Sequence, residues 1–104
     1  MNQGQIGLLK CDRTRESMPI LAESLTLGRE HVWAKGTLDD ELLNGDHCVI
    51  EVQNGFYVRD LDSVNGTLVN GRFTHGATPL SHGDSLQLGQ TFLRFYEIQL
   101  EIME

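Results

Sequence analysis

The sequence is poor in basic residues and in long apolar runs, and each shortage excludes a class of protein. Only 8 Lys and Arg stand against 15 Asp and Glu, which gives a net charge of −7. This charge opposes binding to nucleic acid or anionic membrane, because both need clustered cations. No apolar run approaches the ~18 residues of a membrane span, and the polar start 1–5 lacks the features of a signal peptide. We therefore expect a soluble cytoplasmic protein without nucleic-acid or membrane partners.

Cysteine is also scarce. Cys11 and Cys48 lie far apart, each within a run typical of a strand. This placement indicates small buried apolar side chains and a reducing compartment, and it does not suggest a disulfide framework. The four histidines, at positions 31, 47, 75 and 82, show neither paired zinc-ligand spacing nor a nearby cysteine pair. We expect no metal site and no cofactor.

What is present suits one globular domain. The chain has 104 residues, of which 39% are hydrophobic and 22% are charged. This composition lies outside the disordered regime, and the length leaves little room for a second core. The expected organisation is a single domain over residues 1–104.

Short apolar or alternating runs, separated by Gly, Asn and Asp, predict an all-β fold. Asn54-Gly55 between two such runs predicts a hairpin with a type I′ turn, and Pro19 is expected at a strand edge. Residues 30–46 lack a clean period and are expected to form a loop. The predicted strands span residues 5–11, 25–29, 48–52, 56–61, 67–69, 85–88 and 91–103. Strands of this number and spacing predict a sandwich or barrel.

Four sequence blocks follow one another between residues 27 and 89. They are LGR at 27–29, a histidine at 47 within LNGDHC, DLDSVNGTLVNG at 60–71 and LSHGDSLQLG at 80–89. In order and spacing they resemble the blocks of the forkhead-associated (FHA) domain family. The resemblance implies a β-sandwich of two twisted, mainly antiparallel sheets with about eleven short strands, whose apical loops bind phosphothreonine in a partner protein.

The resemblance also implies roles for individual residues. The phosphopeptide-binding positions match Arg29, Asn44, Gly45, Val64 and Asn65. A planar guanidinium suits a phosphate because it bonds two oxygens at once, and Arg29 would supply it; the alternative is an Arg that caps a strand or pairs with an acidic neighbour. Asn65 would hydrogen-bond the partner's backbone. The alternative role for Asn65 is that of a turn residue in the left-handed conformation. The loop-bracing and structural positions match Gly28, His47, Gly66, Asn70 and Gly71.

Three binding positions depart from the family pattern. Asn44 stands in place of the phosphate-binding serine, Gly45 in place of a basic or amide residue, and Val64 in place of a polar one. Losing two hydrogen bonds of about 1.5 to 3 kcal/mol each would weaken phosphate binding roughly a hundredfold to ten-thousandfold. Asp46 adds repulsion, whereas Lys35 or Arg72 would compensate.

Two binding hypotheses follow from these departures. In the first, the domain is a monomeric adaptor that reads a threonine phosphorylated by a Ser/Thr kinase, using Arg29, Asn44 and Asn65. In the second, it is a degenerate member that binds protein without phosphate in a scaffold, secretion assembly or self-association, through apolar residues such as Trp33 and Val64. The alternative role for Trp33 is that of an ordinary core or rim aromatic.

An enzymatic function finds little support in the sequence. Asp39-Asp40 and the pair Ser63 and His47 are imaginable catalytic groups, but no nucleophile elbow or third orienting residue accompanies them. No glycine-rich nucleotide-binding motif occurs either. We expect a protein without catalytic activity.

Overall fold

The computed structural model describes residues 5–33 and 36–99, which form an antiparallel β-sandwich. A six-stranded sheet has the order β2-β1-β12-β11-β8-β9, a four-stranded sheet has the order β10-β7-β6-β3, and β4 pairs with β5. The strands are β1 (Gln5–Cys11), β2 (Ser17–Ile20), β3 (Ser24–Leu27), β4 (Val32–Trp33), β5 (Gly36–Thr37), β6 (Cys48–Val52), β7 (Phe56–Asp60), β8 (Thr67–Val69), β9 (Arg72–Phe73), β10 (Thr78–Leu80), β11 (Ser85–Leu88) and β12 (Thr91–Gln99). The all-β sandwich expected from the sequence is confirmed.

Alternating apolar residues of the two sheets fill the space between them. Phe56 of one sheet and Phe95 of the other pack as tilted rings with centroids 5.1 Å apart. Cys11 and Cys48 are buried and free, as expected. Burial raises the pKa of the Cys48 thiol to about 12, so this cysteine is an unreactive part of the core.

The β6–β7 hairpin shows how burial sets the register. Asn54 and Gly55 both have positive φ, 53° and 146°, but the connection includes Gln53 and is one residue longer than a type I′ turn. Ile50 therefore lies opposite Val58, and both are buried. A two-residue turn would place Ile50 opposite Arg59 and move one strand's apolar side chains to the solvent face.

Several strand boundaries differ from the sequence expectation. The second predicted strand ends at Leu27, so Arg29 lies in a loop, and an additional edge strand, β2, contains Pro19. The predicted loop 30–46 contains the short β4–β5 pair. The last predicted strand is confirmed to Gln99, and its residues 100–103 lie outside the described part. The described residues include no helix long and apolar enough to cross a membrane.

Asp40 joins the 38–47 loop to the β11–β12 turn. Asp40 is 6% exposed, and its carboxylate accepts hydrogen bonds from the Leu42 N–H at 2.9 Å, the Gln90 N–H at 2.7 Å and the Thr91 hydroxyl at 2.7 Å. Burial alone would raise the pKa of Asp40, but these hydrogen bonds outweigh burial and lower the pKa below its ordinary value of 3.8. Asp40 is therefore a structural anion.

We expect Asp40→Asn to lower the free energy of unfolding at pH 7 by about 2 kcal/mol, since an amide is a weaker acceptor for three donors. The folded pKa is depressed, so wild-type Asp40 stabilises the fold above pH ~4 and loses this contribution as the pH falls through the folded pKa. Urea unfolding at pH 7 and pH 3 measures both effects. The variant should show a smaller loss on acidification, and exposed Asp39→Asn should behave like wild type; equal pH dependence in all three proteins would contradict the assignment.

Candidate functional site

Sheet register brings three loops to one end of the sandwich. Leu27 lies opposite Cys48, and Cys48 lies opposite Asp60. The segment after β3, the segment before β6 and the segment after β7 therefore meet at the same end of the sandwich. We call these loops 28–31, 38–47 and 61–66 the apical loops.

Loop 28–31 packs closely on residues 44 and 45. The Arg29 N–H donates to the Asn44 carbonyl at 2.9 Å, and the Glu30 N–H donates to the Gly45 carbonyl at 3.3 Å. A Cβ at Gly28 would lie 2.0 Å from the Gly45 carbonyl oxygen. Position 28 thus requires glycine because two backbones touch there, and this contact fixes the backbone of Arg29.

The Arg29 side chain is exposed. Its guanidinium makes no hydrogen bond or ion pair with any residue in 5–33 or 36–99, so the pairing with Glu30 or Asp39 weighed from the sequence is not seen. A rigid backbone therefore carries a guanidinium with its donors available to a ligand.

His47 connects two of the apical loops from inside the domain. Its ring is 0% exposed. Nδ1 accepts a hydrogen bond from the Asn44 N–H at 3.1 Å, which leaves Nε2 protonated to donate to the Gly66 carbonyl at 2.9 Å. The neutral imidazole is thus satisfied on both nitrogens and ties loop 38–47 to loop 61–66.

Two side-chain amides connect the same loops at the surface. Asn44 Oδ1 accepts from the Val64 N–H at 3.1 Å, and Asn65 Nδ2 donates to the Leu42 carbonyl at 2.9 Å. Asn65 is not among the residues with positive φ; Gly66 takes that conformation, with φ 82°. The left-handed role weighed for Asn65 is therefore wrong.

Loop 61–66 is also bound to the strand ends on either side of it. Asp60 accepts hydrogen bonds from the Ser63 hydroxyl at 2.6 Å, the Ser63 N–H at 3.0 Å and the Thr67 hydroxyl at 2.7 Å. The Gly66 N–H in turn donates to Ser63 Oγ at 2.9 Å. Burial alone would raise the pKa of Asp60, but the hydrogen bonds from Ser63 and Thr67 outweigh it and lower the pKa.

These contacts argue against the imagined catalytic groups. Ser63 donates to Asp60, and His47 Nε2 bonds to a backbone carbonyl, so the two side chains form no dyad. Asp40 is a buried acceptor whose neighbour Asp39 is exposed. A lowered carboxyl pKa, as at Asp40 and Asp60, is the reverse of what a general base near neutral pH needs. Within 5–33 and 36–99, no group of three His, Cys, Asp or Glu is placed to hold a metal ion.

Carboxylates lie close to the expected phosphate position. A Cβ on Gly45 would lie 2.8 Å from the Glu30 carboxyl carbon, so Glu30 occupies the space of a side chain at position 45. Asp46 Oδ1 lies 2.5 Å from His31 Nε2 at the surface. An anion that binds beside Arg29 is therefore attracted by one guanidinium and repelled by two nearby carboxylates.

The other residues expected at the site have different outcomes. Val64 is 85% exposed at the tip of its loop, whereas Trp33 is 2% exposed and belongs to the core, so Trp33 is wrong as a contact residue. Arg72 lies opposite Val69, at the end of the β8–β9 hairpin away from loop 61–66, and is not brought to the apical loops. Lys35 lies outside the described residues.

Asn70 and Gly71 form the turn between β8 and β9. Asn70 and Gly71 have positive φ, 51° and 82°. Asn70 Nδ2 donates to Asp84 Oδ1 at 3.0 Å, and the Ser85 N–H donates to Asn70 Oδ1 at 2.9 Å. These two residues support the fold at the opposite end of β8.

The sequence reasoning missed the roles of Asp60 and Leu42. Asp60 stands three residues before Ser63, a spacing at which Asp commonly accepts hydrogen bonds from a following turn. No sequence signal marks the Leu42 carbonyl as a partner of Asn65, because that contact joins residues 23 positions apart.

Comparisons with known proteins agree with this architecture. The family model "FHA domain" matches residues 25–89. EmbR from Mycobacterium tuberculosis, solved with a low affinity phosphopeptide, is similar with a TM-score of 0.80 and 22% identity over 95% of this chain and 26% of EmbR. The chain thus spans about a quarter of EmbR.

Two further solved structures are similar over most of their own length. The FHA domain of CT664 from Chlamydia trachomatis has a TM-score of 0.76 and 24% identity over 88% of this chain and 96% of that one. Yeast Pml1p has a TM-score of 0.78 and 26% identity over 90% of this chain and 83% of that one. No curated protein sequence matches the chain.

We expect His47→Ala to lower the free energy of unfolding by about 3 kcal/mol, because it leaves a buried cavity and two unpaired backbone groups. Chemical denaturation measures this loss. Amide hydrogen exchange should accelerate first at Asn44, whose N–H loses its acceptor, and then in loop 61–66, which loses the bond to the Gly66 carbonyl. Exposed His75→Ala is the matched control. Unchanged exchange in both loops would show that the imidazole does not couple them.

Proposed function

The chain belongs to the FHA domain family, and on this premise we propose that it binds phosphothreonine-containing segments of partner proteins through its apical loops. The proposed role is that of a non-catalytic adaptor whose partners are marked by a Ser/Thr kinase. The observation that carries the proposal is the exposed Arg29 guanidinium, which has no protein partner in the described residues and stands on a backbone fixed by the Gly28–Gly45 contact.

Arg29 provides the charge that such a ligand needs. A phosphate of nearly two negative charges offers three acceptor oxygens, and a guanidinium bonds two of them in parallel. The protein has a net charge of −7, so long-range attraction does not help the ligand to bind. Phosphate capture therefore depends on short-range hydrogen bonds at this one cation and the donors beside it.

Asn44 and Asn65 supply neutral donors. The contact with Val64 uses Asn44 Oδ1, which orients the amide and leaves Nδ2 as a donor beside Arg29. Asn65 uses one Nδ2 hydrogen on Leu42 and keeps its other hydrogen and Oδ1 for the backbone of an extended partner segment. EmbR, a similar structure, was solved with a low affinity phosphopeptide, which supports the same class of ligand here.

We expect Arg29→Ala to weaken phosphothreonine-peptide binding about a hundredfold, since two charge-assisted hydrogen bonds are lost. Calorimetric titration with a degenerate phosphothreonine peptide library measures this, with the unphosphorylated library as the ligand control. Arg59→Ala, an exposed cation of β7, should bind like wild type. Heat of binding that is equal for phosphorylated and unphosphorylated libraries, or equal in wild type and Arg29→Ala, would refute the proposal.

Asn44→Asp tests the second donor without disturbing the loop. A carboxylate oxygen keeps the acceptor for the Val64 N–H, but it replaces the Nδ2 donor with a negative charge next to the phosphate. We expect affinity to fall at least tenfold with an unchanged melting temperature. The same titration and a thermal melt measure the two quantities, and undiminished affinity would remove Asn44 from the site.

A second candidate function is phosphate-independent protein binding through the same loops. It is favoured by the 85% exposed side chain of Val64 and the 40% exposed side chain of Leu42, and by the lack of a polar side chain at Gly45. Exposed apolar side chains on ordered loops offer apolar surface that a protein partner can bury. Binding of the unphosphorylated library that is lost on Val64→Asp and kept on Arg29→Ala would select this function over the first.

A further inference from the structure

The outward side of the six-stranded sheet has an unusual composition. Antiparallel register places directly opposite residues on the same side of the sheet, which allows the outward positions to be read as rows across the strands. One row contains Phe73, Leu68 and Phe92, joined through Gln87. Phe73 is 61% and Phe92 44% exposed. This row presents large apolar side chains to solvent.

The next rows combine cations with more apolar side chains. Lys10 lies opposite Arg94, and neither forms an ion pair with a described residue. Arg94 Nη1 donates to the Gly83 carbonyl at 2.8 Å, which orients the guanidinium and leaves its other N–H groups for a ligand. Beyond them, Tyr96 lies opposite Leu8, and Ile98 opposite Ile6. A pair of cations is therefore flanked by apolar rows on both sides. We call this surface the outer face.

The outward strand positions of the outer face contain no carboxylate. The outward positions on the described strands β1, β2, β8, β9, β11 and β12 include no Asp or Glu. Glu97 is the one acidic residue in these strands, and it alternates with the outward residues Tyr96 and Ile98, so it belongs to the other side of the sheet. The acidic residues that adjoin these strands in sequence, Asp12, Glu16 and Asp84, lie in the connecting segments. The Asp12 N–H donates to the Phe92 carbonyl at 3.0 Å, so Asp12 borders the Phe92 row. In a chain of net charge −7, the outward strand positions of this face therefore carry two cations and no carboxylate.

We propose that the outer face is a second protein-binding surface, whose occupant is an acidic amphipathic helix of a partner protein. Carboxylates of the helix lie against Lys10 and Arg94, and its apolar side chains cover the flanking rows. Charge complementarity selects this occupant. The apolar side of a sheet is commonly covered by a helix with an apolar stripe.

Other occupants fit the charge pattern less well. A second copy docked symmetrically through the same face would set Lys10 and Arg94 against their own counterparts. An anionic membrane is held by clusters of about four to eight cations, and this face has two. A helix that carries a few carboxylates of its own can pair with the two cations of this face.

The dimensions of the face set the expected affinity. The four outward residues of β12 from Phe92 to Ile98 span about 20 Å, which matches a helix of about 14 residues. With a width of about 20 Å the face offers roughly 400 Å², about half of what each partner buries in a standard interface. The complex is therefore expected to be weak by itself and to act together with binding at the apical loops.

The test is an NMR titration of the ¹⁵N-labelled chain with a designed helical peptide of about 14 residues that carries Leu and Glu on one side. The matched probe replaces each Glu with Lys. We expect chemical-shift changes in β1, β8 and β12 with the Glu peptide and at least tenfold weaker binding of the Lys peptide. The double variant Lys10→Glu/Arg94→Glu should reverse this preference, while Arg59→Glu on the other sheet should leave it unchanged.

Several outcomes would overturn the proposal. They are equal binding of both peptides, shifts confined to other surfaces, or no shifts up to about 1 mM peptide. Self-association at high concentration that Phe92→Ser abolishes would assign the face to a second copy instead. Co-sedimentation with phosphatidylserine vesicles, without binding of the Glu peptide, would assign it to a membrane. Thermal melts of the variants establish that each is folded. As a second variant, Phe92→Ser should weaken binding of the Glu peptide, because it removes an apolar side chain from the face.

Discussion

The buried imidazole of His47 is the interaction on which the apical end depends. It lies where strands from three parts of the chain end side by side, and it has no access to water, so both of its nitrogens need protein partners. Its partners are backbone groups at Asn44 and Gly66, one in each of two loops. Because the ring satisfies two loops at once, neither loop can shift without leaving a buried polar group unpaired.

This coupling means that the loops are ordered before a ligand arrives. Gly28 packs against Gly45, and the Arg29 N–H donates to the Asn44 carbonyl. Asp60 binds Ser63, and the Asn44 side-chain amide binds Val64. A preformed site loses less conformational entropy on binding. The strength of binding then depends on the few groups that face the ligand. In the proposed site they are one guanidinium, two amides and an exposed valine, with the carboxylates of Glu30 and Asp46 on the neighbouring loops.

The site and the outer face lie on different parts of the sandwich and use different chemistry. The apical loops present donors around one cation, whereas the outer face presents apolar rows around two. Of the strands that form the face, β8 begins directly after the apical loop 61–66, but no residue belongs to both surfaces. A partner that carried a phosphorylated segment and an acidic helix would engage both, and the second contact would then be intramolecular.

The sequence by itself located seven of the twelve described strands and identified the family. The alternation of apolar residues and the Asn-Gly and Gly-Asp turns gave the observed bounds of Cys48–Val52, Thr67–Val69 and Ser85–Leu88, because these signals act over a few residues. The four ordered blocks identified the family for the same reason. They also indicated where a ligand would bind, since the order of the blocks follows the order of the loops.

Only the tertiary structure decided which of those residues meet. It buried Trp33, carried Arg72 to the far end of its hairpin and lengthened the Asn54-Gly55 connection by one residue. It also gave Asp40 three donors, two of them about 50 positions away in sequence. The alternation of apolar and polar residues predicts which side chains share a face of a strand. It does not say what covers that face, because the covering contacts join segments distant in sequence.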